Sequence, residues 1–350
     1  MNILFRVDAS SKIGTGHVMR CLTLAHQLKQ KGASISFICR EEAGNLCDYI
    51  EQEGFRVFRL HAETPLIQQQ DAQETAHVIK TNFSVVDWGV VDHYQFDQQW
   101  EQIISGKAHQ LMVIDDLANR LHTCDLLLDQ NYYTDYLERY EHLVPEGCLK
   151  LLGPQYLLLR DEFLEAQDKV DIRDGSMKRI LIFYGGSDPT NETEKVVRAF
   201  QQLKIQDIHI DVVTGTANPN RTNVEHLCKE SRFTYHCQIN YLADLISQAD
   251  VAFGAGGVTM WERCFLGLPS IVTIVAENQK ASTEAAAAAG AVWNLGWHED
   301  IKESDYAGVI QRALKEPEKL KELSLRSIEL MNSNGQQKVH PAVDQMLKGS

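Results

Sequence analysis

The sequence predicts an α/β protein made of two domains, each built on a parallel sheet. Short apolar segments alternate with amphipathic helical segments, which is the pattern of strands covered by helices on both faces. A chain of 350 residues is longer than one that usually folds around a single hydrophobic core, and its length suits two domains. A charged stretch, Asp161–Lys178, separates two sets of these segments. We therefore expect domains at about 1–165 and 177–330, followed by a tail at 331–350.

The first domain opens on the apolar segment Asn2–Val7, which predicts a strand. Val18–Lys31 follows with its apolar residues largely on one helical face, and Gly32 is expected to end that helix. The other strand candidates of this domain are short apolar runs at Ser34–Cys39, Val85–Val91, Gln110–Ile114 and Leu126–Leu128.

The second domain repeats the alternation. The alanine run Ala285–Ala289 indicates a helix, and Glu318–Met331 predicts another. A polar Asn-Ser-Asn-Gly sequence at 332–335 is expected to end that helix before a last short one. The strand candidates of this domain are Arg179–Tyr184, His209–Thr214, Thr234–His236, Val251–Gly254 and Ser270–Val275.

Charge and composition disfavour several classes of partner. Asp and Glu number 48 against 34 Lys and Arg, a net charge of −14 that disfavours nucleic acids and anionic membranes. A small anion remains compatible, because backbone N–H groups can bind it locally. The longest apolar stretch, Ala285–Trp293, is shorter than a membrane-spanning helix, and no secretory signal is evident. We expect a cytoplasmic protein without stable membrane association.

A glycine-rich loop, Ile13–His17, connects the first strand to the first helix. Gly14 and Gly16 permit positive φ angles and close approach of a ligand to the backbone. The loop lacks the Lys-Ser/Thr of a P-loop, and Met19 breaks the G-x-G-x-x-G spacing. His17 is expected in the first helical turn, where the helix dipole disfavours imidazolium, so it suits a general base. A histidine that only caps the turn or contacts a phosphate is an equal alternative.

Two further glycine-rich turns follow strands of the second domain, at Gly185–Asn191 and Gly254–Glu262. Backbone donors and helix N-termini at such turns bind phosphate, and two of them can meet at the switch point of a parallel sheet. An ordinary βα turn is the alternative for the first. In the second, Thr259 either caps the helix or binds phosphate. Glu262 either completes a capping box or accepts hydrogen bonds from ribose.

Polar residues follow three strands of the first domain, at Asp92–Tyr94, Asp115-Asp116 and Asp129–Asn131. Adjacent acids in an extended segment point to opposite sides and rarely bind one metal ion, so capping and loop fixing is the favoured interpretation. The eight cysteines form no Cys-x-x-Cys pair and no cluster with zinc spacing. We therefore predict reduced thiols and no metal site.

These segments together resemble a known family. In the first half the motifs are Arg6-Val7-Asp8, Ile13–Leu22, Asp92-His93-Tyr94, Asp115–Arg120, Asp129–Tyr132 and Leu152–Tyr156. In the second half they are Tyr184–Asp188, Gly256-Gly257 with Thr259, Trp261–Cys264 and Asn278-Gln279. The pattern is similar to the UDP-2,4-diacetamido-2,4,6-trideoxy-β-L-altropyranose hydrolases of pseudaminic acid biosynthesis. Related spore-coat polysaccharide proteins share some of these motifs.

The resemblance implies a GT-B fold, in which two Rossmann-like domains face each other across a cleft, as in the glycosyltransferase that makes lipid II. It implies hydrolysis of a UDP-sugar at the anomeric carbon with inversion, without metal or cofactor, for surface glycans such as those of flagellin. His17 would activate water, and Tyr94 and Arg160 would lie near the sugar. Asn278 and Gln279 would approach the sugar or phosphate. UDP would be held by Gly185, Gly186, Ser187, Gly256, Gly257, Thr259 and Glu262.

Two other functions remain open at this point. A glycosyltransferase of the same fold would transfer the sugar to an alcohol or lipid. No Lys/Arg-rich amphipathic stretch for a membrane-bound acceptor stands out in the sequence. A nucleotide-sugar sensor would bind the same small molecule without turnover.

Overall fold

The computed structural model describes residues 1–11, 13–62, 66–331 and 339–348. The polar sequence at 332–335 that was expected to end a helix lies outside the described residues. The chain forms two compact units, and each contains one sheet of parallel strands. The first unit comprises Met1–Asn131, Asp135–Leu158 and a C-terminal segment, and the second comprises Tyr132–Thr134 and Leu159–Gln336.

The sheet of the first unit has seven strands. They are β1 (Asn2–Val7), β2 (Ser34–Arg40), β3 (Arg56–Leu60), β4 (Trp88–Asp92), β5 (Gln110–Ile114), β6 (Leu126–Asp129) and β7 (Leu149–Leu152). Their order is β3-β2-β1-β4-β5-β6-β7, and every neighbouring pair is parallel. The chain adds strands on one side of β1 and then returns to add β4 on the other. The boundary between β1 and β4 is therefore the topological switch point.

Four helices cover this sheet along the first part of the chain. They are α1 (Gly16–Gln30), α2 (Cys47–Gln52), α3 (Gln68–Asn82) and α4 (Gln98–Ser105). The face of α1 that packs on the sheet is fully buried at Cys21, Leu24, Ala25 and Leu28, as the sequence pattern predicts. Gly32 has a φ of +87° just after the end of α1, which suits its predicted role in ending the helix.

The sheet of the second unit has six strands. They are β8 (Arg179–Phe183), β9 (His209–Thr214), β10 (Thr234–Cys237), β11 (Val251–Ala255), β12 (Ser270–Ile274) and β13 (Trp293–Trp297). Their order is β10-β9-β8-β11-β12-β13, again with parallel neighbours. The switch point here lies between β8 and β11.

The helices of the second unit begin where the chain leaves the first. They are α5 (Asp161–Gln167), α6 (Glu192–Leu203), α7 (Arg221–Ser231), α8 (Leu242–Gln248), α9 (Val258–Phe265), α10 (Glu277–Ala288), α11 (Glu303–Lys315) and α12 (Pro317–Met331). The predicted helices around the alanine run and at the end of this unit are thus confirmed by α10 and α12. Single-turn 3₁₀ helices lie at Pro154–Tyr156 and His298–Asp300.

The last helix, α13 (Pro341–Lys348), packs into the core of the first unit. Ala342, Val343 and Met346 are fully buried there, and the Trp88 indole N–H donates to the Met346 carbonyl at 3.2 Å. The tail therefore contributes core area to the first unit. Among the described residues, no helix has both the length and the apolar character needed to cross a bilayer.

The first unit contains a buried ion cluster formed by Glu101, Asp115 and His122. His122 Nδ1 is 2.7 Å from Glu101 Oε1, and His122 Nε2 is 3.8 Å from Asp115 Oδ2. Burial alone would lower the pKa of His122, but its close contacts with the Asp115 and Glu101 carboxylates raise it to about 9. The imidazolium is therefore the stable form of this side chain at neutral pH.

We predict that this cluster makes the stability of the first unit pH-dependent. The folded pKa of His122 lies above the ordinary value of about 6.5, so its contribution is complete below that value and is lost as the pH rises through about 9. In wild type this decrease in the free energy of unfolding should reach up to about 3 kcal/mol, and in His122→Gln it should be absent. Denaturant unfolding across this range measures it, with exposed His109→Gln as the control. Parallel curves for His122→Gln and wild type would contradict the assignment.

Candidate active site

The sequence-predicted site residues gather at the switch point of each sheet. In the first unit, the loop after β1 leads to His17, and the neighbouring β4 ends at Asp92. In the second unit, the two glycine-rich turns follow the adjacent strands β8 and β11. Parallel α/β sheets bind ligands at the carboxyl ends of strands at this boundary, so the topology favours a binding role for both groups.

His17 is bound through its ring to the end of β4. It is the second residue of α1, its side chain is buried, and its Nδ1 lies 2.6 Å from Asp92 Oδ1. The N-cap of the helix is Thr15, which makes no side-chain capping bond to any of the residues that the structure describes. The alternative in which His17 only caps the turn is therefore wrong.

Arg20 fixes Asp92 from the same face of α1, three residues after His17. Its guanidinium donates to both oxygens of Asp92 at 2.6 Å and to both oxygens of Asp116 at 2.9 Å. Burial would raise the pKa of Asp92, but the charges of Arg20 and His17 and their hydrogen bonds hold it well below its usual range. A charged Asp92 can only accept, so His17 Nδ1 donates to it, and in the neutral ring this leaves the proton-accepting lone pair on Nε2.

Tyr94 lies beside His17. Its ring meets the imidazole edge-on with 4.5 Å between centroids, and its hydroxyl donates to Asp116 Oδ2 at 2.9 Å. Asn131 Nδ2 donates to the other oxygen of Asp116 at 2.9 Å. Residues from three strand ends thus form one hydrogen-bonded network around His17. Asp115 instead accepts from the backbone N–H groups of Leu117 and Ala118, which confirms the loop-fixing interpretation for that residue.

His93 is a second histidine at this strand end, and its environment makes it a poor base. It stacks on Phe96 at 4.1 Å, and its Nδ1 accepts from the N–H of Gln95 at 3.2 Å. Burial and the charge of Arg6 lower its pKa to about 4. Its Nε2 carries the proton and faces Asp8 at 3.5 Å. His93 is therefore a poor candidate for accepting a proton at neutral pH.

The loop before α1 is open at both of its glycines. Gly14 has a φ of +82°, and its N–H donates to the Ser10 carbonyl at 2.8 Å. A Cβ at Gly14 or at Gly16 would meet no atom of the described residues within 4 Å. The surface next to His17 therefore has room for a ligand, and ligand contact by these two glycines stays a prediction.

The first turn of the second unit exposes its backbone after β8. Gly185 has a φ of +88°, and Gly186 and Ser187 are exposed. The carboxylate of Asp188 accepts from the N–H groups of Glu192 and Thr193 at 3.0 and 2.9 Å. Because a carboxylate already occupies the N-terminus of α6, the expectation that this helix terminus favours a phosphate is wrong. The peptide groups of the turn itself remain the candidate donors.

The second turn leads to an open helix terminus. Gly257 has a φ of +81° and is the N-cap of α9, and within the described part of the chain this N-cap makes no side-chain capping bond. Thr259 lies inside the first turn of α9, so the capping box that would pair it with Glu262 is not formed. Free N–H groups at a helix N-terminus favour an anion, and this terminus is the better phosphate candidate of the two.

Residues from α10 line this turn. A Cβ on Gly256 would lie 2.5 Å from Thr283 Oγ1 and 3.1 Å from Gln279 Cβ, so the position tolerates only glycine without movement. Gln279 Oε1 accepts from the N–H of Val275 at 3.3 Å, which holds the side chain against the turn. Asn278 is exposed at the start of the same helix. Gly256, Gly257 and Gln279 are thus brought together, and binding of a ligand by these residues stays a prediction.

Glu262 and Arg160 meet within the second unit. The Arg160 Nη2 donates to Glu262 Oε1 at 3.3 Å, and Glu262 is buried one turn into α9. Arg160, which the resemblance places near the sugar, is thereby bound to the carboxylate expected to bind ribose.

Among the described residues, no group of three or more His, Cys, Asp and Glu side chains could hold a metal ion, and all eight cysteines are free thiols.

Three parts of this arrangement were not foreseen from the sequence. Arg20 was recognised only as a member of a motif, and Asp92 was expected only to cap or fix a loop. The signal for Arg20 is its spacing of three residues from His17, which puts the two side chains on one helical face. The turn at Gly215 was missed altogether. Its N–H donates to the Gly186 carbonyl at 3.0 Å, and a Cβ there would lie 2.5 Å from that oxygen.

Three known proteins are similar to the chain in sequence. It is 30% identical over 232 residues to the UDP-2,4-diacetamido-2,4,6-trideoxy-beta-L-altropyranose hydrolase of Campylobacter jejuni, covering 65% of the chain and 75% of that protein. It is 34% identical over 302 residues to the spore coat polysaccharide biosynthesis protein SpsG of Bacillus subtilis, covering 85% and 84%. An uncharacterized protein of Methanocaldococcus jannaschii is 26% identical over 289 residues, covering 80% of the chain but spanning 57% of that protein's length. No family model matches.

Solved glycosyltransferases share the fold. MurG of Acinetobacter baumannii superposes with a TM-score of 0.64 at 12% identity, with 99% of each chain covered. The spinosyn rhamnosyltransferase SpnG superposes with a TM-score of 0.65 at 13% identity, covering 99% of the chain and 100% of SpnG. At such identities the likeness shows the fold alone. The predicted GT-B class, with two Rossmann-like domains of parallel strands, is confirmed.

Proposed function

The chain belongs to the family of the Campylobacter UDP-2,4-diacetamido-2,4,6-trideoxy-beta-L-altropyranose hydrolase and SpsG, and we propose that it hydrolyses a UDP-linked sugar of this kind at the anomeric carbon. The products are UDP and the free sugar, which serves pseudaminic acid biosynthesis. His17 acts as the general base, and the reaction proceeds with inversion and without a metal. The protein works in the cytoplasm.

The observation that carries this proposal is the orientation of His17 by Asp92 and Arg20. The 2.6 Å contact from Nδ1 to Asp92 fixes the ring, and the two 2.6 Å bonds from Arg20 fix Asp92 in turn. A histidine whose Nδ1 donates to a buried carboxylate presents a basic Nε2, as in acid–histidine pairs of hydrolases. This is the arrangement expected for removing a proton from water.

The second unit supports the other half of the reaction. The peptide N–H groups of the turn at Gly185–Ser187 and the uncapped N-terminus of α9 after Gly257 suit a diphosphate. Glu262, with one oxygen that has no hydrogen-bond partner among the described residues, suits the hydroxyl groups of a ribose. A nucleoside diphosphate combines these two chemistries, so UDP is the ligand that we assign to this unit.

In the proposed step, water displaces UDP from the anomeric carbon of the sugar. A water oxygen forms a bond to the anomeric carbon while its proton passes to His17 Nε2. The bond from the anomeric carbon to the β-phosphate oxygen breaks, and its electron pair leaves with UDP. The N–H groups of the second unit stabilise the negative charge that develops on the diphosphate. Attack opposite to the leaving group inverts the configuration at that carbon.

A glycosyltransferase is the second candidate, because the superposed structures with this fold are glycosyltransferases. Incubation with the UDP-sugar alone separates the two. We expect UDP and free sugar to appear in equal amounts without an added acceptor. Release of UDP only after addition of an alcohol acceptor would identify a transferase. Saturable binding with no release of UDP would identify a sensor.

A further inference from the structure

Glu262 is a buried carboxylate with an unused acceptor atom. Its side chain is 6% exposed, and its Oε2 has no hydrogen-bond partner among the described residues. Burial raises the pKa of this carboxyl. A buried oxygen without a hydrogen bond costs folding free energy unless a ligand donates to it. The carboxylate lies one helical turn after Gly257, next to the second glycine-rich turn.

Arg160 bonds the other oxygen of this carboxylate from a fixed position. Its Nη1 is 2.6 Å from Glu162 Oε1, and its guanidinium lies 4.9 Å from the centre of the Phe163 ring. Arg160 directly precedes α5, and both contacts come from the first turn of that helix. The guanidinium is thereby held with its Nη2 toward Glu262 Oε1, 3.3 Å away.

Three charged side chains surround Glu262 in the described part of the chain, and they act differently. Glu162 is a like charge that disfavours ionisation of Glu262. Arg263 makes the smallest contribution favouring ionisation of Glu262. Its guanidinium donates hydrogen bonds to the Ser270 hydroxyl at 3.0 Å and to the Ala255 carbonyl at 2.8 Å. Arg160 opposes the effect of burial most strongly, through its charge and its hydrogen bond. Arg160 is thus the cation on which the charge state of Glu262 depends.

We propose that Arg160 is a positioning residue that keeps the Glu262 carboxylate charged and oriented, so that it accepts hydrogen bonds from both hydroxyl groups of a ribose. The inference rests on the proposed function, which puts the nucleotide on the second unit. A charged carboxylate accepts at both oxygens, whereas a protonated one turns one of its oxygens into a donor. Without Arg160, protonation of Glu262 at mildly acidic pH would remove part of the ribose site.

The test compares UDP with 2′-deoxy-UDP, which lacks one of the two hydroxyl groups. The ratio of their dissociation constants, measured by calorimetry, cancels the ionisation of the phosphates. Wild type should prefer UDP about tenfold at neutral and alkaline pH and should keep this preference to a lower pH than Arg160→Gln does. Arg160→Gln should lose this preference at mildly acidic pH and regain it at alkaline pH, because the pKa of Glu262 rises when Arg160 is removed.

Matched variants separate charge from packing. Arg160→Lys keeps the positive charge and should show the same dependence of the ratio on pH as wild type. Glu262→Gln should lose the preference at every pH, and Arg326→Gln, an exposed change of the same charge on α12, should leave the ratio unchanged. An Arg160→Gln ratio that equals wild type, or that is lowered equally at every pH, overturns the inference. Failure of wild type to bind UDP overturns the proposed function as well, so the two failures are distinguishable.

Discussion

Replacement of His17 by asparagine is expected to lower kcat by about 10²- to 10⁴-fold, the usual contribution of a general base. The asparagine amide N–H can take the place of Nδ1 and donate to Asp92, so the buried carboxylate keeps a partner. The amide has no basic nitrogen to take the place of Nε2. The proton of the attacking water then has no acceptor, while the nucleotide site of the second unit is untouched.

The measurements for this variant are steady-state hydrolysis of the UDP-sugar and calorimetric binding of UDP. UDP affinity should equal that of wild type within about twofold, because the change lies in the other unit. His26→Asn on the same helix α1 is the matched control, since His26 pairs with Glu53 outside the site at 3.0 Å and is half-exposed. Turnover of His17→Asn within a few-fold of wild type would show that His17 is not the base.

Replacement of Asp92 by asparagine is expected to lower kcat by about 10²- to 10⁴-fold although His17 is still present. The uncharged amide can donate to Nδ1 of His17, which moves the ring proton to Nε2. The nitrogen that should accept a proton then carries one. Arg20 also loses one of its two carboxylate partners, so a loss of stability of about 3–5 kcal/mol should accompany the change.

Nitrogen-15 chemical shifts of the His17 ring report this effect directly. In wild type, Nδ1 should be protonated and Nε2 should be free; in Asp92→Asn the two signals should exchange roles. The control is Asp87→Asn, which makes the same change in the loop before β4. Asp87 is partly exposed, and its carboxylate accepts a hydrogen bond from the N–H of Asn2. Unaltered kcat together with an unaltered ring tautomer in Asp92→Asn would remove Asp92 from the mechanism.

The strands inside the two sheets were predictable from the sequence, and three of the outer ones were not. The bounds of β1, β5 and β9 agree with their predictions at both ends. The missed strands β3, β7 and β13 all lie at the edge of a sheet. An edge strand is paired on one side and less fully covered, so its sequence carries polar residues or glycine and lacks the continuous apolar run of a central strand.

The site could be predicted only as far as local sequence reaches. The glycine turns and His17 are visible because each occupies one short segment after a strand. The pairing of His17 with Asp92 joins residues 75 positions apart, and that of Arg160 with Glu262 joins residues 102 positions apart. Such contacts depend on strand order, which periodicity does not give. The occupation of the α6 terminus by Asp188 likewise depends on side-chain geometry that the glycine pattern does not encode.

Hydrolysis in ¹⁸O-labelled water, followed by NMR of both products, tests most directly whether water attacks the anomeric carbon. We expect the label to enter the hydroxyl group at the anomeric carbon of the free sugar and UDP to stay unlabelled. The first sugar anomer detected should have the configuration opposite to that of the substrate. Label in the β-phosphate of UDP would show attack on phosphorus and contradict the role assigned to His17.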